Sequence, residues 1–471
     1  MNRVLISAAH KSSGKTTVSI GICAALKRRG VSVQPFKKGP DYIDPMWLSQ
    51  ASGRTCRNLD LYLMQPEQVE TTFGNNLSEF NLVEGNKGLY DGLALDGSNS
   101  NAAIAKLLNL PVVLVIDARG MTRGIAPLIL GYQAFDRDIH IAGVILNNLG
   151  GSRHESKLRE VIHHYTDVPV IGAIQHDKRL SIDERHLGLM PSNESTEATQ
   201  LIQLLGDAVE TQVDLDKLID LSRTAAINTP PHAAIYAAPQ PKVRIGVAHD
   251  RAFGFYYADD FDAMRAEGAE IIPFDTTRDQ QLPEVDGLFI GGGFPEMLAA
   301  ELEANTGMRH AIGTAVNNGM PVYAECGGLM YLSRNISYQG KTHAMVGAIP
   351  GDIVMHEKPV GRGYVTLTAN KNHPWQAHES NEKTIRAHEF HYSSLDNLPA
   401  DTKFAFKMER GHGIDGEHDG LMLHNMLACY THQRSVGNCH WASRFVDFVR
   451  KHKLQQSDTL SDSNKQFNLF I

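Results

Sequence analysis

The chain is poor in cysteine, with only five among 471 residues. Cys23, Cys56, Cys326, Cys429 and Cys439 are scattered, odd in number, and never arranged as a CxxC pair. This pattern predicts neither a disulfide framework nor a zinc site built from thiolates.

Long apolar runs and a strong charge of one sign are also missing. No stretch approaches the roughly 20 apolar residues of a membrane span, and the N-terminus lacks the apolar core and cleavage site of a signal peptide. The net charge is −8, from 45 basic and 53 acidic residues, so the chain as a whole has no attraction for nucleic acid or anionic membranes. We therefore expect a soluble cytoplasmic protein with no nucleic-acid or membrane partner.

What the chain does contain is an alternation of short apolar runs with helical patterns. Continuous apolar runs of this kind predict parallel sheets covered on both faces, and the length indicates at least two domains. The fold class predicted is α/β, with two doubly wound domains. The strands predicted are Val4–Ala8, Val31–Phe36, Phe80–Val83, Val112–Ile116, Ile141–Leu146 and Val168–Ile171 in the first half, and 242–250, Glu270–Pro273, Gly287–Ile290 and Val322–Ala324 in the second.

Composition divides these patterns into domains. The segment 226–241 is rich in alanine and proline without periodicity, which predicts a linker between a domain at 1–225 and a domain at 242–452. The polar, serine- and aspartate-rich segment 453–471 is predicted to be a mobile tail.

A phosphate-binding loop is predicted between the first strand and a helix at Thr16–Arg29, which Gly30 is expected to end. A glycine turn at a helix N-terminus aims backbone N–H groups at an anion, and lysine and threonine reach the phosphates and Mg2+. Ala9 departs from the usual pattern, which has glycine there. The residues predicted to bind ATP are Ser13, Gly14, Lys15, Thr16 and Thr17.

Carboxylates follow two of the predicted strands, within the segments 39–45 and 84–92. Ligands of doubly wound sheets bind beyond the carboxyl ends of the strands, and oxygen ligands suit Mg2+. We predict a metal site that includes Thr16, Asp41 and Glu84. The alternative for each carboxylate is a structural role in a turn.

A single cysteine carries the signature of a nucleophile. Cys326 stands between a strand and a helix and is followed by two glycines, which is typical of a nucleophile elbow. Gly292 and Gly293 end another strand and can supply an oxyanion loop, and His432 follows a later apolar run as the candidate base. The alternative is a structural cysteine in a glycine turn.

These motifs together resemble the cobyrinic acid a,c-diamide synthase family. The resemblance extends to about residue 450 and is strongest at SGKTT (13–17), QPFKKGPDYIDP (34–45), RNLD (57–60), GLYDG (88–92), GGGFPE (291–296), AECGGLMYL (324–332), HEFHYS (388–393) and YTH (430–432).

The resemblance implies a dethiobiotin-synthetase-like domain followed by a class I glutamine amidotransferase domain. It implies that ammonia from glutamine displaces phosphate from an ATP-activated acetate of a tetrapyrrole, with Mg2+ as cofactor, Cys326 as nucleophile and His432 as base. The possibility that the protein forms a homodimer is left open. The residues expected to bind the tetrapyrrole are Asp41, Tyr42, Asp44, Lys87, Tyr90 and Asp91.

Two departures from the family pattern leave alternatives open. Arg434 stands where a second histidine is usual, so His391 or His440 could support His432, or the enzyme could depend on free ammonia. Asn86 and Lys87 also differ from the family and leave sirohaem or a sirohydrochlorin open as the acceptor. A P-loop regulatory ATPase with a partner-binding C-terminal domain is the alternative of another class.

Overall fold

The chain forms two compact units, Met1–Ala233 and Ala234–Ile471. A computed structural model describes residues 1–182, 184–185, 188–194, 197–224, 243–375, 384–437 and 439–467. Within these ranges no helix combines the length and the apolar character needed to cross a bilayer. The linker predicted at 226–241 lies outside the described residues.

The first unit is built around a seven-stranded sheet in which every pair of neighbours is parallel. The strand order is β3-β2-β4-β1-β5-β6-β7. The elements are β1 (Asn2–Ala8), α1 (Lys15–Arg28), β2 (Val33–Lys38), α2 (Ile43–Ser52), β3 (Arg57–Leu59), α3 (Pro66–Asn75), β4 (Phe80–Glu84), α4 (Asn101–Leu107), β5 (Val112–Asp117), α5 (Ile125–Phe135), β6 (Ile141–Leu149), α6 (Ser152–Tyr165), β7 (Val170–Gln175), β8 (Glu184–Arg185), β9 (Gly188–Leu189), α7 (Ala198–Gln212) and α8 (Leu215–Leu221).

The central strands of this sheet are apolar at consecutive positions because both of their faces are buried. Every residue of β4, and all of β5 except Asp117, is buried. Helix α1 ends where predicted, since Gly30 follows it in the left-handed conformation with φ 81°. The six strands predicted for this unit correspond to β1, β2, β4, β5, β6 and β7, and the predicted helix corresponds to α1, whereas the short strands β3, β8 and β9 were not predicted.

The second unit contains a nine-stranded sheet of order β12-β10-β13-β15-β24-β23-β22-β19-β20 and a four-stranded sheet of order β17-β16-β18-β21. The elements are β10 (Val243–Ala248), β11 (Phe253–Phe255), α9 (Ala258–Ala266), β12 (Ala269–Phe274), β13 (Gly287–Ile290), β14 (Gly292–Gly293), α10 (Ala299–Ala304), α11 (Thr306–Asn317), β15 (Val322–Glu325), α12 (Gly327–Leu332), β16 (Asn335–Tyr338), β17 (Lys341–Ala344), β18 (Asp352–Met355), β19 (Gly361–Ala369), β20 (Thr384–His391), β21 (Ser393–Asp396), β22 (Lys403–Arg410), β23 (His418–Leu423), β24 (Met426–Cys429) and α13 (Trp441–Phe467).

The large sheet is mixed. Strands β12, β10, β13, β15 and β24 are parallel, and the remaining four strands are joined antiparallel. Successive side chains of β13 belong to two different hydrophobic cores, one on each face of the sheet. Leu288 and Ile290 belong to the core that contains Leu329 of α12, whereas Phe289 packs against Trp441 of α13 with ring centroids 5.1 Å apart. Helices therefore cover both faces, as predicted.

The C-terminal segment continues the last helix. Helix α13 extends to Phe467 and so includes residues 453–467, which belong to the segment predicted to be a mobile tail. Mobility of this segment stays a prediction.

Close packing of α12 on β13 generates a stability prediction. A Cβ added at Gly328 would lie 2.0 Å from the carbonyl oxygen of Ile290, a backbone atom that cannot move away cheaply. We expect Gly328→Ala to lower the free energy of unfolding by about 1–3 kcal/mol. The matched control is Gly313→Ala in α11, where the nearest atom is 3.6 Å away and alanine should be favoured by about 0.5–1 kcal/mol. Urea unfolding of both variants measures this, and equal midpoints would contradict the packing argument.

Candidate active sites

The phosphate loop runs from the end of β1 to the start of α1, the arrangement that binds anions at a helix N-terminus. Gly14 has φ 89°, and a Cβ there would lie 2.1 Å from the Nδ2 atom of Asn147, so only glycine fits. Asn147 donates a hydrogen bond of 3.0 Å to the carbonyl of Ser13, and the Thr17 hydroxyl donates to the carbonyl of Gly14 at 2.9 Å. The loop is thus held in shape from inside the protein.

The alanine that departs from the loop pattern causes no backbone strain. Ala9 stays outside the left-handed region, and Ser12 is the residue of this loop, besides Gly14, that enters it, with φ 63°. The carbonyl of Ala9 accepts a hydrogen bond from the Tyr132 hydroxyl.

Next to the loop lies a cluster of buried charges at the carboxyl ends of β2 and β4. The Thr16 hydroxyl donates to Oε1 of Glu84 at 2.7 Å and to Oδ2 of Asp44 at 3.3 Å. Lys37 donates to the same Glu84 oxygen at 2.9 Å and is also paired with Asp44. Lys15 is 7 % exposed. The second Glu84 oxygen, Oε2, is buried and has no hydrogen-bond partner among the described residues.

Burial and neighbouring charges set the protonation of this cluster. Burial and the nearby Lys37 charge lower the pKa of Lys15 to about 8, despite the carboxylates around it. Burial also lowers the pKa of Lys37, but Asp44 and Glu84 reverse this and hold it well above the usual value. Burial raises the pKa of Glu84. A buried lysine between two carboxylates stays charged, so the cluster presents paired charges beside the phosphate loop.

The other predicted substrate residues of this unit differ in their burial and in their hydrogen bonds. Asp41 accepts a hydrogen bond from the backbone N–H of Asp44 at 3.0 Å at the start of α2, and burial together with Asp44 raises its pKa to about 7. Tyr42 is buried. Asp91 accepts from the Gly88 N–H at 2.8 Å, which is the turn role considered as the alternative for these carboxylates.

Two residues of the segment 84–92 differ in what they can offer a ligand. Tyr90 donates its hydroxyl hydrogen to the Tyr132 carbonyl at 2.6 Å, and its ring lies 4.6 Å from that of Phe135, so the side chain packs against α5. Lys87 is exposed and has φ 43°. Of the two, Lys87 is the more exposed.

In the second unit, Cys326 forms the sharp turn between β15 and α12. Its backbone has φ 48° and ψ −101°, a conformation that a residue with a side chain rarely adopts, and its N–H donates to the Cys429 carbonyl at 2.7 Å. Strain of this kind at a strand–helix turn is typical of a nucleophile.

His432 lies beside this cysteine, three residues after the end of β24. It is hydrogen-bonded to Cys326, and its Nδ1 atom lies 3.3 Å from Oε2 of Glu325. The other Glu325 oxygen accepts from the Tyr323 hydroxyl at 2.7 Å and from the Gln433 N–H at 3.0 Å. Cys326, His432 and Glu325 therefore form a buried triad, with Glu325 as the group that orients the imidazole.

The triad favours the protonated form of its histidine. Burial lowers the pKa of His432, but hydrogen bonds to Cys326 and Glu325 raise it by more than burial lowers it. The resulting pKa is about 10. Because this value lies above the unfolded pKa of about 6.5, the network stabilises the fold at neutral pH, and this contribution is lost as the pH rises through about 10.

The predicted oxyanion loop lies against the same groups. A Cβ at Gly292 would lie 2.6 Å from Cε1 of His432, and a Cβ at Gly327 would lie 2.9 Å from the backbone nitrogen of Gly293. The loop and the cysteine turn therefore lie so close together that a side chain at Gly292 or Gly327 would clash.

Both units match known families. Residues 5–189 match the CobQ/CobB/MinD/ParA nucleotide binding domain, and residues 244–437 match the CobB/CobQ-like glutamine amidotransferase domain. The cobyrinate a,c-diamide synthase of Magnetococcus marinus is 45% identical over 95% of this chain and 97% of that protein. Those of Methanosarcina acetivorans and Listeria innocua are 43% and 38% identical, over 97% and 92% of this chain and 97% and 96% of theirs.

The chain belongs to the cobyrinate a,c-diamide synthase family. The resemblance inferred from its motifs and the two-domain fold class are thereby confirmed. ATP and glutamine are the substrates of the two domains of this ligase.

The residue that supports the histidine of this cobyrinate a,c-diamide synthase family member is neither of those named from the sequence. His391 stacks on Tyr430 with ring centroids 3.9 Å apart, and His440 is exposed. Glu325 contacts His432 instead, while Arg434 is buried and paired with Asp259. The departure at position 434 therefore leaves the imidazole with an orienting carboxylate.

Three residues of the two sites escaped the sequence reasoning, namely Lys37, Asn147 and Glu325. Each carries a charged or amide side chain within or at the end of a strand that is buried or nearly so. That combination is the signal that could have found them, because a buried charge or amide needs a partner.

The triad predicts how the pH profile of glutamine hydrolysis depends on Glu325. Glu325→Gln removes a negative charge that raises the pKa of His432, so the alkaline limb of kcat/KM should move to lower pH, and kcat should fall. Initial rates measured across the pH range in which the protein stays folded test this. The control is Glu303→Gln, which changes a carboxylate paired with His343 at the surface at 2.7 Å. An unmoved alkaline limb in Glu325→Gln would contradict the assigned contact.

Proposed function

We propose that this chain uses glutamine and ATP to amidate the a and c acetate groups of cobyrinic acid. The observation that carries the proposal is the buried triad of Cys326, His432 and Glu325, in a chain whose other unit holds a phosphate loop beside paired buried charges. Relatives that match nearly the whole of this chain over nearly their whole length are cobyrinate a,c-diamide synthases. The functional domains proposed are 1–225 and 242–452.

The first reaction is the release of ammonia from glutamine. The Cys326 thiolate attacks the amide carbon, and the negative charge that develops on oxygen is stabilised by backbone N–H groups of Gly292 and Gly293. His432 gives its proton to the departing ammonia and then takes one from the water that hydrolyses the thioester. Glu325 holds the imidazole in the orientation that both transfers need.

The second reaction activates the acceptor. A carboxylate is a poor acyl donor, so ATP phosphorylates the acetate, and ammonia displaces the phosphate from the acyl phosphate. Lys15 and the N-terminal N–H groups of α1 bind the phosphates. Lys37 keeps a positive charge beside the same site, where it can offset the charge of the transferred group.

The residues beside the phosphate loop fit a magnesium ion. In the described part of the chain no three His, Cys, Asp or Glu side chains are arranged to hold a metal by themselves. Mg2+ does not need such a set, since it takes one or two carboxylates together with water and substrate phosphates. The buried Oε2 of Glu84, which lacks a partner there, and the Thr16 hydroxyl would hold it, with Asp41 close by. When bound, Mg2+ neutralises charge on the phosphates.

For the acceptor we favour cobyrinic acid over sirohaem or a sirohydrochlorin, because every relative named above is a cobyrinate enzyme. Lys87 is exposed next to the phosphate loop and can pair with a peripheral carboxylate. A purely regulatory ATPase would have no need of a strained cysteine aligned with a histidine and a carboxylate.

The glutaminase assignment predicts a selective loss. Cys326→Ala should abolish amidation with glutamine, yet leave amidation with ammonium salts, because the acyl phosphate forms in the other unit. Mass spectrometry of cobyrinic acid after reaction counts the amides, since each carboxylate converted changes the mass by about one unit. Cys56→Ala, which changes a buried thiol of the first unit, is the control and should retain glutamine use. Normal glutamine use by Cys326→Ala would refute the nucleophile.

The phosphate-loop assignment predicts the opposite pattern. Thr16→Ala removes the hydroxyl that contacts Glu84 and Asp44, so amidation should fall with glutamine and with ammonium alike, by on the order of a hundredfold or more. Alkylation of Cys326 should proceed as before. Thr211→Ala makes the same change on an exposed face of α7. A Thr16 variant with full ammonium-dependent activity would overturn the assignment.

A further inference from the structure

One imidazole in the second unit has no role in the chemistry above, although it lies against the triad. The ring of His388 is stacked on that of His432, with centroids 4.9 Å apart and an interplanar angle of 16°. The backbones of the two residues also pair in both directions, at 2.7 and 3.2 Å. His388 begins the HEFHYS motif, which the proposed reaction leaves unexplained.

A row of side chains continues from the far side of His388. The Tyr257 hydroxyl lies 3.4 Å from His388 Nδ1, and the two rings meet edge to face. The guanidinium of Arg434 lies over the Tyr257 ring, 5.0 Å from its centroid. Asp259 fixes that guanidinium through its Nε at 3.1 Å. Arg434 is 1 % exposed, so the arginine that replaces the expected histidine belongs to the interior of the site.

The other contacts of the His432 ring lie at its edge. Glu325 meets its Nδ1 edge, Gly292 lies against Cε1, and Cys326 is its hydrogen-bond partner. His388, in contrast, covers a face of the ring. The stack therefore restricts rotation of the imidazole about its Cβ–Cγ bond.

We propose that His388 is a positioning residue of the glutaminase, which fixes the plane of the His432 ring by stacking and is itself held by Tyr257 and Arg434. The inference rests on the proposed function, since it concerns the base of that reaction. His388 never touches glutamine in this role.

The electrostatics agree with a neutral stacking partner. Burial, and then the charges of His432 and Arg434, hold the pKa of His388 well below its usual value. The charged or titratable groups around the pair are Cys326, Glu325, Tyr257, Arg434 and Asp259. A neutral ring can stack on an imidazolium without repelling it, whereas two protonated rings could not share this position.

The test compares His388→Ala, which removes the stack, with His388→Phe, which keeps a flat ring. Two quantities are measured in the full-length protein: kcat and KM for glutamine hydrolysis, and the pH dependence of Cys326 alkylation by iodoacetamide, located by mass spectrometry. His373→Ala is the control, because His373 is a half-buried histidine of the same unit that packs on Trp375 and Phe406.

We expect His388→Ala to lower kcat by on the order of tenfold to a hundredfold with little change in KM. Its alkylation curve should move to higher pH, because a misaligned imidazolium stabilises the thiolate less. His388→Phe should recover most of kcat and the original curve. His373→Ala should keep both.

Outcomes that would overturn the inference are separable from failure of the proposed function. If the unaltered protein hydrolyses glutamine and His388→Ala matches it in kcat and in the alkylation curve, the positioning role is refuted. Equal losses in the alanine and phenylalanine variants also refute it. If the unaltered protein does not hydrolyse glutamine, the proposed function fails first. Should His388→Ala not fold, Tyr257→Phe replaces it, and an unchanged alkylation curve there counts against the proposal.

Discussion

Parallel pairing of strands is the constraint on which both sites depend. Because β15 and β24 run in the same direction with Glu325 opposite Cys429, the turn that carries Cys326 and the segment that carries His432 leave the sheet at the same edge. The same rule in the first unit brings Lys37 opposite Glu84, and Ile6 of β1 opposite Glu84 on the other side. Strand pairing thus brings together residues that are far apart in sequence.

The buried charged side chains at these sheet edges are stabilised by partners within the protein. Burying a carboxylate or an ammonium group alone is costly, and Lys37, Glu84 and Glu325 each have an opposite charge or several donors as partners. Glu325 accepts from Tyr323 and Gln433 in addition to its contact with His432. Such a network holds its members in fixed positions, which serves catalysis because the groups need not reorganise during the reaction.

Much of this could be read from the sequence, because the informative patterns are local. Most of the buried parallel strands, the phosphate loop and the cysteine elbow were predicted, because each occupies a few consecutive residues, but the parallel strands β3 and β24 were not. The antiparallel half of the second sheet was not predicted, since alternating strands such as β19 and β22 resemble exposed segments in composition. Glu325, Lys37 and His388 were also missed, because their partners are set by strand register and not by spacing along the chain.

Position 434 illustrates how a departure from a family pattern is best interpreted. In the sequence, Arg434 looks like the loss of a supporting histidine. In the structure, Glu325 contacts His432, and the arginine is buried in a row that ends at His388, whose ring is stacked on that histidine. A long, permanently charged side chain can reach Asp259 and cover Tyr257 at once, which a histidine could not do. The substitution is therefore better explained as a different way of holding the same imidazole than as decay of the glutaminase.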